Sequence, residues 1–415
     1  MTDKLLERLI QLEIKRQQTT VNLIPSENYV SAEILAVLGS PLTNKYSEGY
    51  PGRRYYPGNK YYDEIEKLAQ RRLKKLFKLG DDWEVNVQPY SGSPALLAIY
   101  AGLMEPGDIL MGLALNAGGH LTHGHRVSFS GRNYKAVQYG VDAESGFLNY
   151  EVIEKQANEC RPQVIVSGAT AYPRQFDFHK FNLIAKKVGA FHVADISHIA
   201  GLVAAGLHAS PFHSKIPGQI GEADVVVTTA HKTLRGPRAA VIFFQKELAE
   251  RINRAVFPGT QGGPHNNVIA ALALTVYEAL QPDFKKYQKQ IVANAQALAG
   301  GLKKHGLQLV SAGTDNHLML LDLRNTGLDG KTAEKFLDDG GITANRNTIP
   351  GDTTPFNPSG IRMGTPAVTT RGMKEPEMGL IAQWIYRLLI KKEKPAKVKK
   401  ETAESCRRFP LFYES

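Results

Sequence analysis

The stretch Ala223–Arg238, ADVVVTTAHKTLRGPR, puts a lysine where it can act as a nucleophile. Val225, Val226 and Val227 are β-branched and apolar, which suits a buried strand. Thr228, Thr229 and His231 then turn the run polar. Lys232 follows where the strand should end, and Gly236-Pro237 breaks the chain. Burial at that place disfavours the ammonium form and lowers the lysine's pKa. A lysine so lowered attacks carbonyl carbon and forms a Schiff base with an aldehyde. A lone lysine is usually just a solvated charge, so the reading needs support from elsewhere in the chain.

The support comes from other strand ends, where ligand groups collect in open α/β sheets. A strand ending at Val87 leads to Ser91-Gly92-Ser93 and a helix beginning near Pro94. Small residues at a helix N-terminus suit a phosphate. A strand ending at Val166 delivers Thr170, and FHVAD ends in Asp195 with His198 close behind. Together a lysine, a carboxylate, hydroxyls and a phosphate loop suit pyridoxal phosphate. The carboxylate would keep the pyridine nitrogen protonated, so that the ring acts as an electron sink. Taken singly, Asp195 reads equally well as a strand-end cap or a salt-bridge partner. The run GGHLTHGH carries His120, His123 and His125. Without Cys, Asp or Glu among them they fix no coordination geometry, so no metal is expected. A flat imidazole stacked on a cofactor ring is the better use of one. Arg362, in SGIRMGTP, has the two-pronged fork that a substrate carboxylate needs, although alone it reads as a surface charge.

The elements that must position these residues alternate along the chain. EVNVQ, DILMGL, AVQYG, QVIVSG, FHVADIS, ADVVVTT and AAVIFF are short apolar runs, and several are separated by helical stretches such as YEVIEKQANEC and FHKFNLIAKKVG. That rhythm predicts a mostly parallel sheet with helices on both faces. After about residue 275 the pattern changes to long helices, the strand NHLMLLDL, the helix TAEKFLDDG, an irregular loop around Pro350–Pro358 and the helix GLIAQWIYRLLI, a smaller α+β domain. The expected division is an N-terminal arm 1–25, a large domain 26–275 and a small domain 276–415. Residues 2–18 read as an amphipathic helix with no partner in its own neighbourhood, suited to packing on another subunit. Ser31 is expected to cap the helix that follows it. Residues 43–62 form a loop dense in Gly, Pro and Tyr, and tyrosines at that density should line something.

Composition narrows the classes. The chain has 415 residues, two cysteines in no pattern of spacing, and a net charge of +11. No apolar run approaches the ~20 residues of a membrane helix, and the charged N-terminus does not read as a secretory signal. A reducing, cytoplasmic setting is expected. Much of the positive charge is local, with six lysines and one glutamate in residues 391–400. Such a run reads as a solvated tail or linker, not as a specific nucleic-acid site. A basic binding module would rest on that tail alone.

Taken with LIPSENYVS, LTNKYSEGYPGRRYY, GGHLTHG, AHKTLRGPR, FPGTQGGP and SGIRMGTPAVTTRG, these features make the chain resemble serine hydroxymethyltransferase. That family comprises pyridoxal 5'-phosphate enzymes of the aspartate aminotransferase fold type (fold type I). The resemblance runs from about Leu5 to the final RRFPLF. It implies a large domain with a mostly parallel seven-stranded sheet and a smaller α+β C-terminal domain. It implies the reversible transfer of serine's hydroxymethyl carbon to tetrahydrofolate, the co-substrate, through an aldimine and a quinonoid. The products would be glycine and 5,10-methylenetetrahydrofolate. Lys232 would hold the cofactor, with Thr229 and His231 as its catalytic neighbours. Asp195 would pair with the pyridine nitrogen, His120 would stack on the ring, and Thr170 and His198 would contact its hydroxyl side. Ser91, Gly92 and Ser93 would bind the phosphate, helped by Gly262 and Gly263 of a second subunit, and Arg238 and Tyr46 would complete the cofactor contacts. Ser26 and Arg362 would hold the amino-acid carboxylate. Glu48 would transfer the proton near substrate and folate, with Tyr55 and Tyr56 in the same loop, which crosses a homodimer interface in the family. Leu115, Gly119, Leu121 and Asn347 would line the folate site. Dimer and tetramer both fit. The chain departs from the commonest pattern at Tyr90, Pro94, Leu96 and Ala230, which bears on fine positioning. A folate-independent aldolase on the same scaffold is the competing enzyme reading, and the Tyr-rich loop and Glu48 argue against it.

Overall fold

The valine run is a strand buried at every position in the computed structural model, which describes residues 2–212, 223–352 and 357–413. The seven strands of its sheet are β1 Trp83–Asn86, β2 Ile109–Leu113, β3 Lys135–Tyr139, β4 Val164–Ser167, β5 Phe191–Asp195, β6 Val225–Thr229 and β7 Ala240–Gln245. Their spatial order is β1-β7-β6-β5-β4-β2-β3. Neighbours from β6 to β3 pair in parallel. β7 runs antiparallel to both β6 and β1. Every strand except β7 therefore delivers its carboxyl end to the same edge of the sheet, which is the side where the candidate residues follow in sequence.

Continuous apolar runs are required because both faces are covered. On one face Val164, Val166, Val225, Val227, Ile242 and Phe244 pack with Ala95, Leu96 and Ile99 of the helix Gly92–Leu103. On the other, Phe243 meets the rings of Phe77 and Phe212 at 5.2 Å each. Leu96, a departure from the family pattern, is a core residue here, 2 % exposed. Truncating a buried aliphatic such as Ile99 to alanine costs about 2–5 kcal/mol.

The chain divides into two compact units, residues 30–288 and residues 1–29 with 289–415. The division falls inside the helix Pro282–Lys304, and the N-terminal segment groups with the C-terminal residues. That second unit holds a four-stranded antiparallel sheet, β8 Gln308–Leu309, β9 Leu318–Asp322, β10 Asn345–Asn347 and β11 Gly360–Gly364, in the order β8-β9-β11-β10. Val21–Asn22 pairs in parallel with Ile342–Thr343, which ties the N-terminal segment into this unit. The loop expected around Pro350–Pro358 lies partly outside the described residues, which omit 353–356.

One expectation needs correction. The lysine-rich stretch 391–400 is not a solvated tail: its second half begins the helix Pro395–Arg408. Val398 and Cys406 on that helix are fully buried in the C-terminal core. Its lysines point outward because the buried positions Val398, Thr402, Ser405 and Cys406 recur at helical spacing. The charge count hid an amphipathic helix. The N-terminal helix Lys4–Thr19 also has a partner in its own chain, since it lies against the helix Pro395–Arg408. Arg371 locks the two together by donating to the carbonyls of Gln17, Gln18, Cys406 and Phe409. Leu5, Leu6, Leu9 and Leu12 nevertheless stay exposed.

Candidate active site

Lys232 lies just past the carboxyl end of β6, and its Nζ donates to Thr229 Oγ1 at 2.9 Å. Next to β6, β5 ends in Asp195. Its side chain is 11 % exposed. Oδ2 accepts from His123 Nε2 at 3.1 Å and Oδ1 from the Ser197 amide at 2.9 Å. Burial alone would push the Asp195 carboxyl up. The His123 hydrogen bond, the Lys232 ammonium and Ser197 outweigh it and hold the group well below the ordinary carboxylate range. The pattern around His123 sets its tautomer. The His120 amide donates to His123 Nδ1 at 3.3 Å, so a neutral His123 carries its proton on Nε2, facing Asp195. Ser197 Oγ in turn accepts the Thr229 amide at 3.1 Å. Asp195 and Lys232 are thus tied through Ser197 and Thr229 into one network across two adjacent strand ends.

The loop after β2 closes over this network. Gly119 packs so tightly that a Cβ there would stand 1.9 Å from the Leu113 carbonyl oxygen. Thr170 Oγ1 reaches the carbonyls of Gly118 and Gly119 at 3.2 Å each. His120 bonds Thr122 Oγ1 through Nδ1 at 2.6 Å. Its ring stands edge-on to His123, with centroids 5.8 Å apart. Leu115 opens a short turn on the same loop, and Leu121 is 43 % exposed. His198 is buried, and its carbonyl accepts the Thr233 hydroxyl.

After β1, Ser91 stands at the N-cap of Gly92–Leu103, yet its side chain makes no capping bond. The unpaired amides of the first turn remain for an anion. A Cβ at Gly92 would come within 2.8 Å of Thr229 Cγ2, so this turn lies directly against the lysine segment. Pro94 removes an amide that would lack a helical partner in any case. His231 is held down to about pKa 3 by burial first and then by Lys232 and Arg238. It is neutral near pH 7, and its buried Nδ1 has no partner among the described residues. Arg238 is exposed.

These residues fit pyridoxal phosphate. An ionised, nearly buried carboxylate suits a protonated ring nitrogen, an amine follows the neighbouring strand end, and a helix N-terminus lies against Thr229, to which that amine is bonded.

The Tyr-rich loop builds a second cluster in the same unit. Gly49–Tyr50 and Arg53–Arg54 form a two-stranded hairpin. The Arg54 side chain, 4 % exposed, donates to Asp63, to Glu66 and to the carbonyls of Ser47 and Gly49, which flank Glu48. Tyr46 and Tyr56 meet edge to face with centroids 5.4 Å apart, and Tyr55 is 74 % exposed. Gly262 and Gly263 lie beside this loop within the same chain: a Cβ at Gly262 would stand 3.4 Å from Glu48 Oε1, and one at Gly263 3.0 Å from the Tyr46 ring. The tyrosines thus cover only part of themselves inside one chain.

Arg362, Asn347 and Ser26 belong to the other unit. Arg362 lies on β11, and its Nε donates to Asn345 Oδ1 at 3.1 Å. Burial lowers its pKa to about 10, partly offset by Glu27, so it stays a cation at neutral pH. Asn347 lies on β10, where its Nδ2 donates to the Thr348 carbonyl. Ser26 is half-buried.

Sequence reasoning missed His123, Ser197, Asn345 and the clamp on Glu48 by Arg54. Only His123 carried a signal, because it stands three residues from His120 in a loop already singled out.

A family model described as Serine hydroxymethyltransferase matches residues 1–385, ending before the helix Pro395–Arg408. The chain belongs to the serine hydroxymethyltransferase family, and so to the pyridoxal-phosphate-dependent transferases of fold type I that serve one-carbon metabolism of serine and glycine.

Proposed function

We propose that the protein is a glycine hydroxymethyltransferase that moves the hydroxymethyl carbon of serine reversibly to tetrahydrofolate, giving glycine and 5,10-methylenetetrahydrofolate. The observation that carries this reading is the network in which Asp195 is kept ionised by His123 and Ser197 while Lys232 bonds Thr229 on the next strand end. When bound, pyridoxal phosphate supplies the electron sink that lets a bond at the substrate's Cα break.

The rest falls to the protein's side chains. Lys232 would hold the cofactor through its amine. Asp195 keeps the ring nitrogen protonated, with His123 fixing the carboxylate. Ser91, Gly92 and Ser93 take the phosphate, with Gly262 and Gly263 of a second subunit. His120 would stack on the cofactor, with Thr170, His198, His231, Arg238 and Tyr46 as its other contacts. Arg362 and Ser26 would hold the substrate carboxylate and so orient the bonds at the substrate's Cα. Glu48 exchanges a proton with the serine hydroxyl. Tyr55, Tyr56, Leu115, Gly119, Leu121 and Asn347 form the substrate and folate walls. The exposed Tyr46, Tyr55 and Tyr56 favour a homodimer with shared sites. Among the described residues no helix is long and apolar enough to cross a membrane, and a cytoplasmic setting agrees with the cysteine usage.

The test follows serine by NMR in the presence of pyridoxal phosphate, with and without tetrahydrofolate. Conversion to glycine that depends on folate is the expected result. Equal cleavage of a β-hydroxy amino acid without folate would replace the transferase by an aldolase, and no conversion at all would remove both.

A further inference from the structure

Tyr90 stands between two parts of the proposed cofactor site. It directly precedes Ser91, the N-cap of the phosphate-facing helix. Its hydroxyl donates to the Gly263 carbonyl at 2.8 Å. Its ring lies flat on His265, with centroids 4.2 Å apart and planes 8° from parallel. A second tie runs alongside, because Gln261 Nε2 donates to the Gln88 carbonyl at 2.7 Å and its Oε1 accepts the Tyr90 amide at 3.4 Å. The segment 88–91 and the turn 261–265 are therefore joined by two side chains, one from each. On its far side the same turn rests on Tyr46 and Glu48.

We propose that Tyr90 is a positioning residue which couples the phosphate-binding helix turn to the Gly262–Gly263 turn and the Glu48 loop. The inference rests on the proposed function, in which the first segment serves one site of a dimer and the glycine turn serves the other. A turn of two glycines has little conformational preference of its own, so an external tie must hold its amides in place for a phosphate. The hydroxyl suits that task. Burial and the nearby Tyr46 and Glu48 push its pKa upward, so it keeps its proton, and remains a donor, across neutral pH. Tyr90→Phe would remove the hydroxyl and leave the stack on His265.

The experiment compares wild type with Tyr90→Phe in two measurements. Hydrogen exchange on the cofactor-free protein reads the turn directly, and equilibrium titration with pyridoxal phosphate reads the site. Exchange at residues 261–265 should quicken about fivefold, the effect of one net hydrogen bond, while helices elsewhere keep their rates. Cofactor affinity should fall about three- to tenfold, the loss of one hydrogen bond that holds the glycine turn. Faster exchange with undiminished affinity would make Tyr90 a structural tie only and overturn the inference while leaving the proposed function standing. Unchanged exchange would overturn it as well. Failure of the wild type to bind pyridoxal phosphate would instead overturn the proposed function, and the inference with it.

Discussion

Replacing Arg54 by alanine should damage the fold and the site together. Its guanidinium makes four bonds from an almost fully buried position: to Asp63 at 2.8 Å, to Glu66 at 2.7 Å, and to the carbonyls of Ser47 and Gly49 at 2.8 and 2.7 Å. Glu66 is 2 % exposed at its side chain. Removing one partner of a buried ion pair leaves the other charge uncompensated and costs about 3–5 kcal/mol. A domain of this size loses roughly 2–4 °C in Tm per kcal/mol, so the midpoint should fall by about 10 °C. Arg54→Lys should not restore it, because one ammonium lacks the fork geometry. Adding Glu66→Gln to Arg54→Ala should return part of the loss, since the orphaned charge is then gone. The pH dependence has a definite sign. Burial already raises the Glu66 pKa even against Arg54. Without Arg54 it rises further, so the folded variant binds a proton that the unfolded chain releases near pH 4.3. The deficit should therefore narrow as pH falls from 8 toward 5. Calorimetry of the cofactor-free protein measures these three variants and the single Glu66→Gln. A midpoint shift under about 2 °C, or additive effects of Arg54→Ala and Glu66→Gln, would refute the reasoning.

Asp195→Asn should cut turnover at least about 100-fold, and His123→Phe about tenfold, the loss of one hydrogen bond to a charged group; both are read from steady-state kinetics with saturating cofactor. Glu48→Gln should suppress folate-dependent transfer while cofactor binding stays within about twofold, measured by titration. His192 is fully buried and held neutral, with its pKa lowered to about 3 by burial. The unfolded chain takes up the proton near pH 6.5, so this residue should withdraw stability as pH falls below that value, by about 2 kcal/mol at pH 5; His192→Phe should flatten the acid limb of the melting curve. Deleting residues 395–413 removes Val398 and Cys406 from the core and Glu401 from its bonds to Arg387 and Trp384. The second unit should lose several kcal/mol by the same core-truncation reasoning, followed by circular dichroism on heating.

The sheet was legible because its central strands, such as Val164–Ser167 and Val225–Thr229, are buried runs rich in β-branched residues, and Lys232 and Asp195 follow from reading strand ends. What stayed hidden depended on contacts distant in sequence. Arg54 reads as one of two loop arginines until Glu66 and Gln88 are seen around it. Tyr90 reads as a departure from a family pattern until it is seen against Gly263 and His265. His123 was visible as a type but not as the partner of Asp195, 72 residues away. The lysine-rich stretch misled for a different reason. Charge dominated its composition, while the spacing of Val398, Thr402 and Cys406 carried the helical signal. The two-residue strand Val21–Asn22, which ties the N-terminal segment to Ile342–Thr343, was too short to read in the sequence.

The central claim is that Lys232 is the residue that holds the cofactor. Incubation with pyridoxal phosphate, reduction with borohydride and peptide mass spectrometry test it directly. A stable cofactor adduct confined to the peptide containing Lys232, and absent after Lys232→Arg, is the predicted result. An adduct spread over surface lysines such as those of residues 391–400, or one unchanged in Lys232→Arg, would contradict it.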